Sequence, residues 1–249
     1  MKRLYDKSPL WFALAWIVAY CALMSAADLL SAKLGTERSV SLPVALLLSA
    51  ILLIFLKRYE LFDEYGLCRS RASARSMLWY IPVLLMLTAN LWYGAAINRG
   101  ALESVLYVES MLCIGFLEEM IFRGLLFGAM RKNGFWSAVI VSSVTFGVGH
   151  VINLINGSAA DLIPNLLQIV YATAAGFMFV MIYCKTESLL VPIAAHGIFN
   201  ALGVFAVGGK TLGGKILTCA LLSLITGSYA LYLALSLKKE QPKETNEEI

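Results

Sequence analysis

The sequence predicts an all-α, polytopic membrane protein: a bundle of about eight transmembrane helices with both termini in the cytoplasm. Three observations carry this. The chain is 59% hydrophobic and only 14% charged, whereas soluble domains run nearer a quarter charged. Apolar runs recur along it at about 20 residues, the length that crosses a hydrocarbon core of ~30 Å. Lys and Arg gather in alternate connections between those runs, as membrane orientation demands.

The first span covers residues 10–30. It follows Met1-Lys2-Arg3, yet it is longer than a signal-peptide core and no clean cleavage site follows, so it is expected to stay in place as a helix. The second covers 41–57. The connection from Lys57 to Arg75 is the longest, mixes five basic residues with acids, and reads as a solvated loop. The remaining spans are expected at 77–98, 104–130, 135–155, 162–184, 188–207 and 213–237. Gly and polar residues thin 135–155 and 188–207. Asn153 to Pro164 has the composition of a turn. The charged tail, Lys238 to Ile249, is expected to be disordered. Together these make one transmembrane domain over 1–249, located in the cell membrane.

Orientation follows from the cations. With the N-terminus inside, one side carries Lys2, Arg3, Lys7, Lys57, Arg58, Arg69, Arg71, Arg75, Arg131, Lys132, Lys185, Lys238, Lys239 and Lys243, 14 in all. The other carries Lys33, Arg38, Arg99, Lys210 and Lys215, only 5. The richer side is cytoplasmic. The same placement explains the net charge of +4 without nucleic acid. The five cysteines are widely spaced and make no C-x-x-C pair, which excludes a disulfide framework and a cysteine-based metal site.

Few ionisable residues fall well inside the spans: Glu118, Glu119 and Arg123 in the fourth, His150 in the fifth and His196 in the seventh. An intramembrane charge costs at least ~2.5–3.5 kcal/mol on insertion scales and marks a functional site by default. Both histidines of the chain lie at this depth. Glu119 and Arg123 stand at i and i+4 and can pair along one face. Glu118 points ~100° away and needs partners from other helices. His196 and Asn200 also share a face, and Phe146, four residues before His150, can wall the same pocket.

A carboxylate with two imidazoles can hold a Zn²⁺ with an open position for water, through Glu118, His150 and His196. It can also activate water without metal, Glu118 acting as general base with a histidine. Asn200 can donate to an oxyanion. Both routes lead to hydrolysis, and no other nucleophile motif stands out. Two further readings stay open: a proton-coupled transporter, since such groups also form proton relays, and a non-catalytic immunity or peptide-binding membrane protein.

Three motifs then occur in order: Glu118-Glu119-x-x-x-Arg123, Phe146-x-x-x-His150 and His196-x-x-x-Asn200. Together they resemble the CPBP intramembrane proteases, which include type II CAAX prenyl endopeptidases and bacterial bacteriocin-processing and self-immunity proteins. The resemblance implies a catalytic group of Glu118, His150, His196 and Asn200, supported by Glu119 and Arg123. It also implies an eight-helix bundle with a water-filled cavity opening towards the cytoplasm. Pro192 departs from the aromatic residue expected four places before His196. The partners so implied are membrane lipids and a peptide or membrane-anchored protein substrate. The compact chain looks bacterial, which favours a leader peptide, bacteriocin or signalling precursor at least as much as a prenylated CAAX protein.

Overall fold

The structure is a computed structural model, and it describes residues 1–155, 161–207 and 211–240. The described residues form helices and connections without a strand; one isolated antiparallel bridge joins Ala95 to Ala206. A short helix α1 (Lys2–Lys7) leads into α2 (Pro9–Leu34). Ser8 caps α2 by accepting from the Trp11 amide, with Pro9 in the first turn where its missing N–H costs nothing. Gly35, at φ +73°, ends it in the left-handed conformation that glycine adopts freely. Phe12, Trp16, Tyr20, Met24 and Ala27 recur at helical spacing and form its buried stripe. Val18, Leu29 and Leu30 point outward, as a lipid-facing surface requires.

Next come α3 (Ser41–Arg58), α4 (Ile81–Leu87), α5 (Ala101–Glu119) and its continuation α6 (Gly128–Met130), α7 (Phe135–Gly149) and α8 (Ile152–Ile155). They are followed by α9 (Leu162–Thr186), α10 (Leu190–Ala201) and α11 (Leu212–Glu240). Among the described residues, five segments are long and apolar enough to cross a membrane: Pro9–Lys33, Ser41–Arg58, Phe135–Leu154, Leu162–Thr186 and Leu212–Lys239. Two shorter apolar segments, Leu78–Leu91 and Leu190–Phe205, pack among them. The run from Ala101 to Met130 is long but carries Glu103, Glu109, Glu118 and Glu119, so its apolarity is interrupted where the chemistry lies. The chain is a multi-pass, all-α helix bundle.

Several boundaries depart from the expected ones. The third span, expected over 77–98, is helical only over Leu78–Leu91 and is broken. Leu78, Trp79 and Tyr80 all have positive φ, and Pro82 sits in the first turn of α4. The fifth ends at Gly149 instead of continuing to 155, with α8 as a separate turn. The 57–75 connection keeps its charges exposed, but it is not simply solvated. Leu61 and Tyr65 are buried, and the loop is stitched to the α9–α10 junction by Arg71 N–H to the Thr186 carbonyl, Leu189 N–H to the Gly66 carbonyl and the Ser188 hydroxyl to the Cys68 carbonyl. Residues 156–160 of the expected turn, and the tail beyond 240, lie outside the described residues.

Two close approaches bring the motif-bearing helices together. A Cβ on Gly115 of α5 would lie 2.5 Å from the Gly197 backbone nitrogen of α10. A Cβ on Gly147 of α7 would lie 2.9 Å from the Ile169 carbonyl oxygen of α9 and still closer to the Thr173 hydroxyl. Helix association in a bilayer depends on such tight packing, because lipid tails are as apolar as leucine.

Candidate active site

The helix that begins as α5 changes character just after the paired glutamates. Over Met120–Phe127 it widens to i→i+5 hydrogen bonding, and all eight residues are buried. Wide turns of this kind are frequently found at functional sites. Glu119 and Arg123 flank the start of this stretch and are both fully buried. Arg123 donates from Nη1 to Glu119 Oε1 at 3.0 Å. The guanidinium carbon lies 4.1 Å from the Phe146 ring centroid and 5.6 Å from that of Phe179. Ring faces thus supply part of what water would have given this buried cation.

Glu119 has a second role. The same Oε1 lies 2.8 Å from His196 Nδ1. A carboxylate on one imidazole nitrogen fixes the tautomer and directs the other nitrogen. That other nitrogen, Nε2, lies 3.5 Å from Glu118 Oε2. His196 is stacked on Phe179, with centroids 5.7 Å apart, and meets Phe146 edge-on at 5.5 Å. Its ring is therefore packed against two aromatic rings. Glu118 is 15% exposed, and its other oxygen, Oε1, accepts a 2.5 Å hydrogen bond from the Tyr20 hydroxyl.

His150 stands where α7 stops. Its Nδ1 lies 3.1 Å from the Phe146 carbonyl, and its ring meets the Phe146 ring edge-on at 5.3 Å. The Asn165 amide donates to the His150 carbonyl at 2.9 Å, anchoring the frayed end. Glu118, His150, Asn200, Phe146 and Tyr20 all line one cavity of about 360 Å³. A smaller pocket of about 40 Å³ joins His150, His196, Phe146 and Asn200. The fold therefore gathers Glu118, Phe146, His150, His196 and Asn200, from three separate helices, around these two spaces, with Glu119 and Arg123 buried behind them.

Some details differ from the expectation. Of the two histidines expected beside Glu118, only His196 faces it within 4 Å; the hydrogen bond of His150 goes to its own helix. Tyr20 and Phe179 carry no motif and were not singled out from the sequence. A phenol in an apolar span is unremarkable until its partner, 98 residues away, is known. As to zinc, among the described residues no three His, Cys, Asp or Glu side chains are gathered as a metal-binding set. His196 Nδ1 is engaged by Glu119, and one oxygen of Glu118 by Tyr20. The donors fit a hydrogen-bonded network better than a three-ligand metal site, and the chemistry below is written on the chain's own groups.

Comparison with known proteins matches the segment that carries these residues. Residues 100–202 match the family model described as type II CAAX prenyl endopeptidase, Rce1-like. The chain is 38% identical over 101 residues to a Bacillus subtilis (strain 168) protein named "Putative membrane peptidase YdiL". That match covers 40% of this chain and 36% of the relative, so the chain spans about a third of the relative's length. No solved structure matches the chain. The matched segment runs from the start of α5 to the end of α10 and contains all three motifs, so this part of the chain is similar to the type II CAAX prenyl endopeptidases, Rce1-like.

Proposed function

We propose that the protein is an intramembrane endopeptidase that hydrolyses a peptide bond in a membrane-associated protein or peptide. The observation that carries this is the pairing of Glu118, which lines a cavity, with His196 at 3.5 Å, while Glu119 holds the other nitrogen of the same imidazole. A structural role alone does not account for that arrangement. Interhelical polar contacts in membranes are worth only ~0.6 kcal/mol on average, a poor return for placing five ionisable groups inside the bundle, three of them buried.

In this reading a water sits between Glu118 and the substrate carbonyl. Glu118 takes one proton as general base while the water oxygen bonds to the carbonyl carbon. Asn200 donates to the oxyanion that forms, while His150, whose Nδ1–H is engaged by the Phe146 carbonyl, offers Nε2 as an acceptor to the attacking water. The C–N bond then breaks, and the proton carried by Glu118, relayed through His196 Nε2, passes to the leaving amine. Water is added across the bond, and both residues return to their starting state. Glu119 acts through His196 and Arg123 acts through Glu119, so both are positioning residues. Their tight ion pair keeps one carboxylate permanently occupied and leaves Glu118 for the reaction.

The test is cleavage of a co-expressed candidate membrane substrate by Glu118→Ala, His150→Ala and His196→Ala variants, each checked for membrane insertion. Loss of cleavage in all three, with insertion intact, is expected. Retained cleavage in all three would sink the proposal. A proton-driven transporter predicts pH-gradient-driven flux in liposomes, and an immunity protein predicts protection that survives the same substitutions.

A further inference from the structure

The cavity has a direction, and the charges of the chain give that direction a meaning. Its deep end is Glu118. From there its lining runs through Ser25 to Asp28 near the C-terminal end of α2, Tyr107 near the start of α5, Asn153 beyond α7 and Gly203 beyond α10. All four of these last positions lie on the face where α2 ends and α5 begins. The N-terminus, the 57–77 connection, the α6–α7 turn, the α9–α10 junction and the end of α11 lie on the opposite face. No lining residue comes from that opposite face.

The far side of Glu118 is closed. Leu117, Ile121, Leu125 and Phe127 are at most 1% exposed. Phe127 packs edge-on against Tyr183 at 6.0 Å, and Phe12 stacks on Phe55 at 5.0 Å. Beyond them the 57–77 loop is stitched down over Tyr65. A peptide cannot reach Glu118 from the face of the termini without unpacking this core.

Two expectations from the sequence therefore conflict. The cations place the termini in the cytoplasm, with 14 on their side against 5. The family resemblance opens the cavity to the cytoplasm. In this fold the cavity opens away from the termini, so only one can hold. The charge asymmetry belongs to this chain and acts on its own insertion, and the mouth adds nothing to oppose it. Of the few cations on that face, Arg38 pairs with Asp28 at 2.7 Å and Arg99 with Glu37 at 2.8 Å.

We infer that the cavity is open to the extracytoplasmic side, and that its substrates are peptide segments presented there, such as the outer portion of a membrane-anchored or exported polypeptide. A cytoplasmic C-terminal tail could not enter. The inference takes the word substrate from the proposed function, but the sidedness stands apart from any chemistry.

The test uses single cysteines in a full-length, cysteine-free chain and a membrane-impermeant maleimide on intact cells. Asn98→Cys reports the mouth face, Ser73→Cys the face of the termini, and the native Cys21 alone, or Ser25→Cys, the cavity. Asn98→Cys and at least one cavity cysteine should label from outside, and Ser73→Cys only after permeabilisation. Labelling of Ser73→Cys from outside, with the cavity cysteines reached only after permeabilisation, overturns the inference. So does a cavity that stays unlabelled from outside while Asn98→Cys reacts. Repeating the labelling in a Glu118→Ala background separates the two claims: the pattern should persist where cleavage is lost, and inactivity of the protein towards every substrate tried would leave the labelling result standing.

Discussion

At the scale of single residues, the site depends on which carboxylate is free. Glu119 is bound on one oxygen by both Arg123 and His196. Glu118 meets a phenol and one edge of an imidazole. The two neighbours should therefore fail differently. Glu118→Gln keeps the shape and removes the base, so cleavage should fall by orders of magnitude while thermal stability in detergent is nearly unchanged. Glu119→Ala leaves a buried guanidinium without its counter-charge, and removing one partner of a buried pair costs about 3–5 kcal/mol. It should lower the melting temperature as well as activity. Tyr20→Phe removes the hydrogen bond to Glu118 and no packing. It should reduce the turnover number more than it raises KM and shift the pH profile of cleavage; an unchanged profile would reduce Tyr20 to a packing residue. Asn200→Ala should cost about 100-fold or more in turnover if it serves the oxyanion, by analogy with removal of such donors elsewhere.

At the scale of elements, the geometry rests on helices that touch backbone to backbone. Gly147 is the most constrained position, with Thr173 and the Ile169 carbonyl where a side chain would begin. Gly147→Val should push α7 from α9, displacing Phe146 and His150 together. Loss of cleavage with a lowered melting temperature is expected, whereas Gly149→Ala, whose Cβ meets nothing within 4 Å, should be tolerated. The widened turn over Met120–Phe127 follows Glu119 directly. Its effect is local: the pair at 119 and 123 still meets as an ordinary i,i+4 pair, at 3.0 Å.

At the scale of the whole molecule, the family match stops at residue 100, yet the site does not. Tyr20, Ser25 and Asp28 of α2 form one wall of the cavity, and α2 also packs on the widened turn. Helix α2 thus contributes a wall of the candidate site. The hydrogen-bonded arrangement of the acidic and imidazole groups also bears on metal. Cleavage by purified protein should persist in the presence of a chelator, and elemental analysis should find no stoichiometric zinc that disappears with Glu118→Ala; the opposite result would assign the second and third ligands to His150 and His196.

The sequence by itself determined the class and singled out most residues of the candidate site. Hydrophobic length and scarcity of charge dictate a helical membrane bundle, because a bilayer admits no unpaired backbone. The cost of burying charge draws Glu118, Glu119, Arg123, His150 and His196 out of an otherwise apolar text, and local spacing is enough to pair Glu119 with Arg123. Such readings succeed because they depend on neighbours within one helical turn. Other features depend on residues far apart in the chain, and only the tertiary structure decided them. It placed the Tyr20 hydroxyl on Glu118, the Glu119 carboxylate on His196 and the guanidinium of Arg123 between two rings. It broke the third span and stitched the long loop to the α9–α10 junction. It also gave the cavity its direction, for a pattern of cations reports which side a helix end occupies, while only packing shows which end of the bundle is left open.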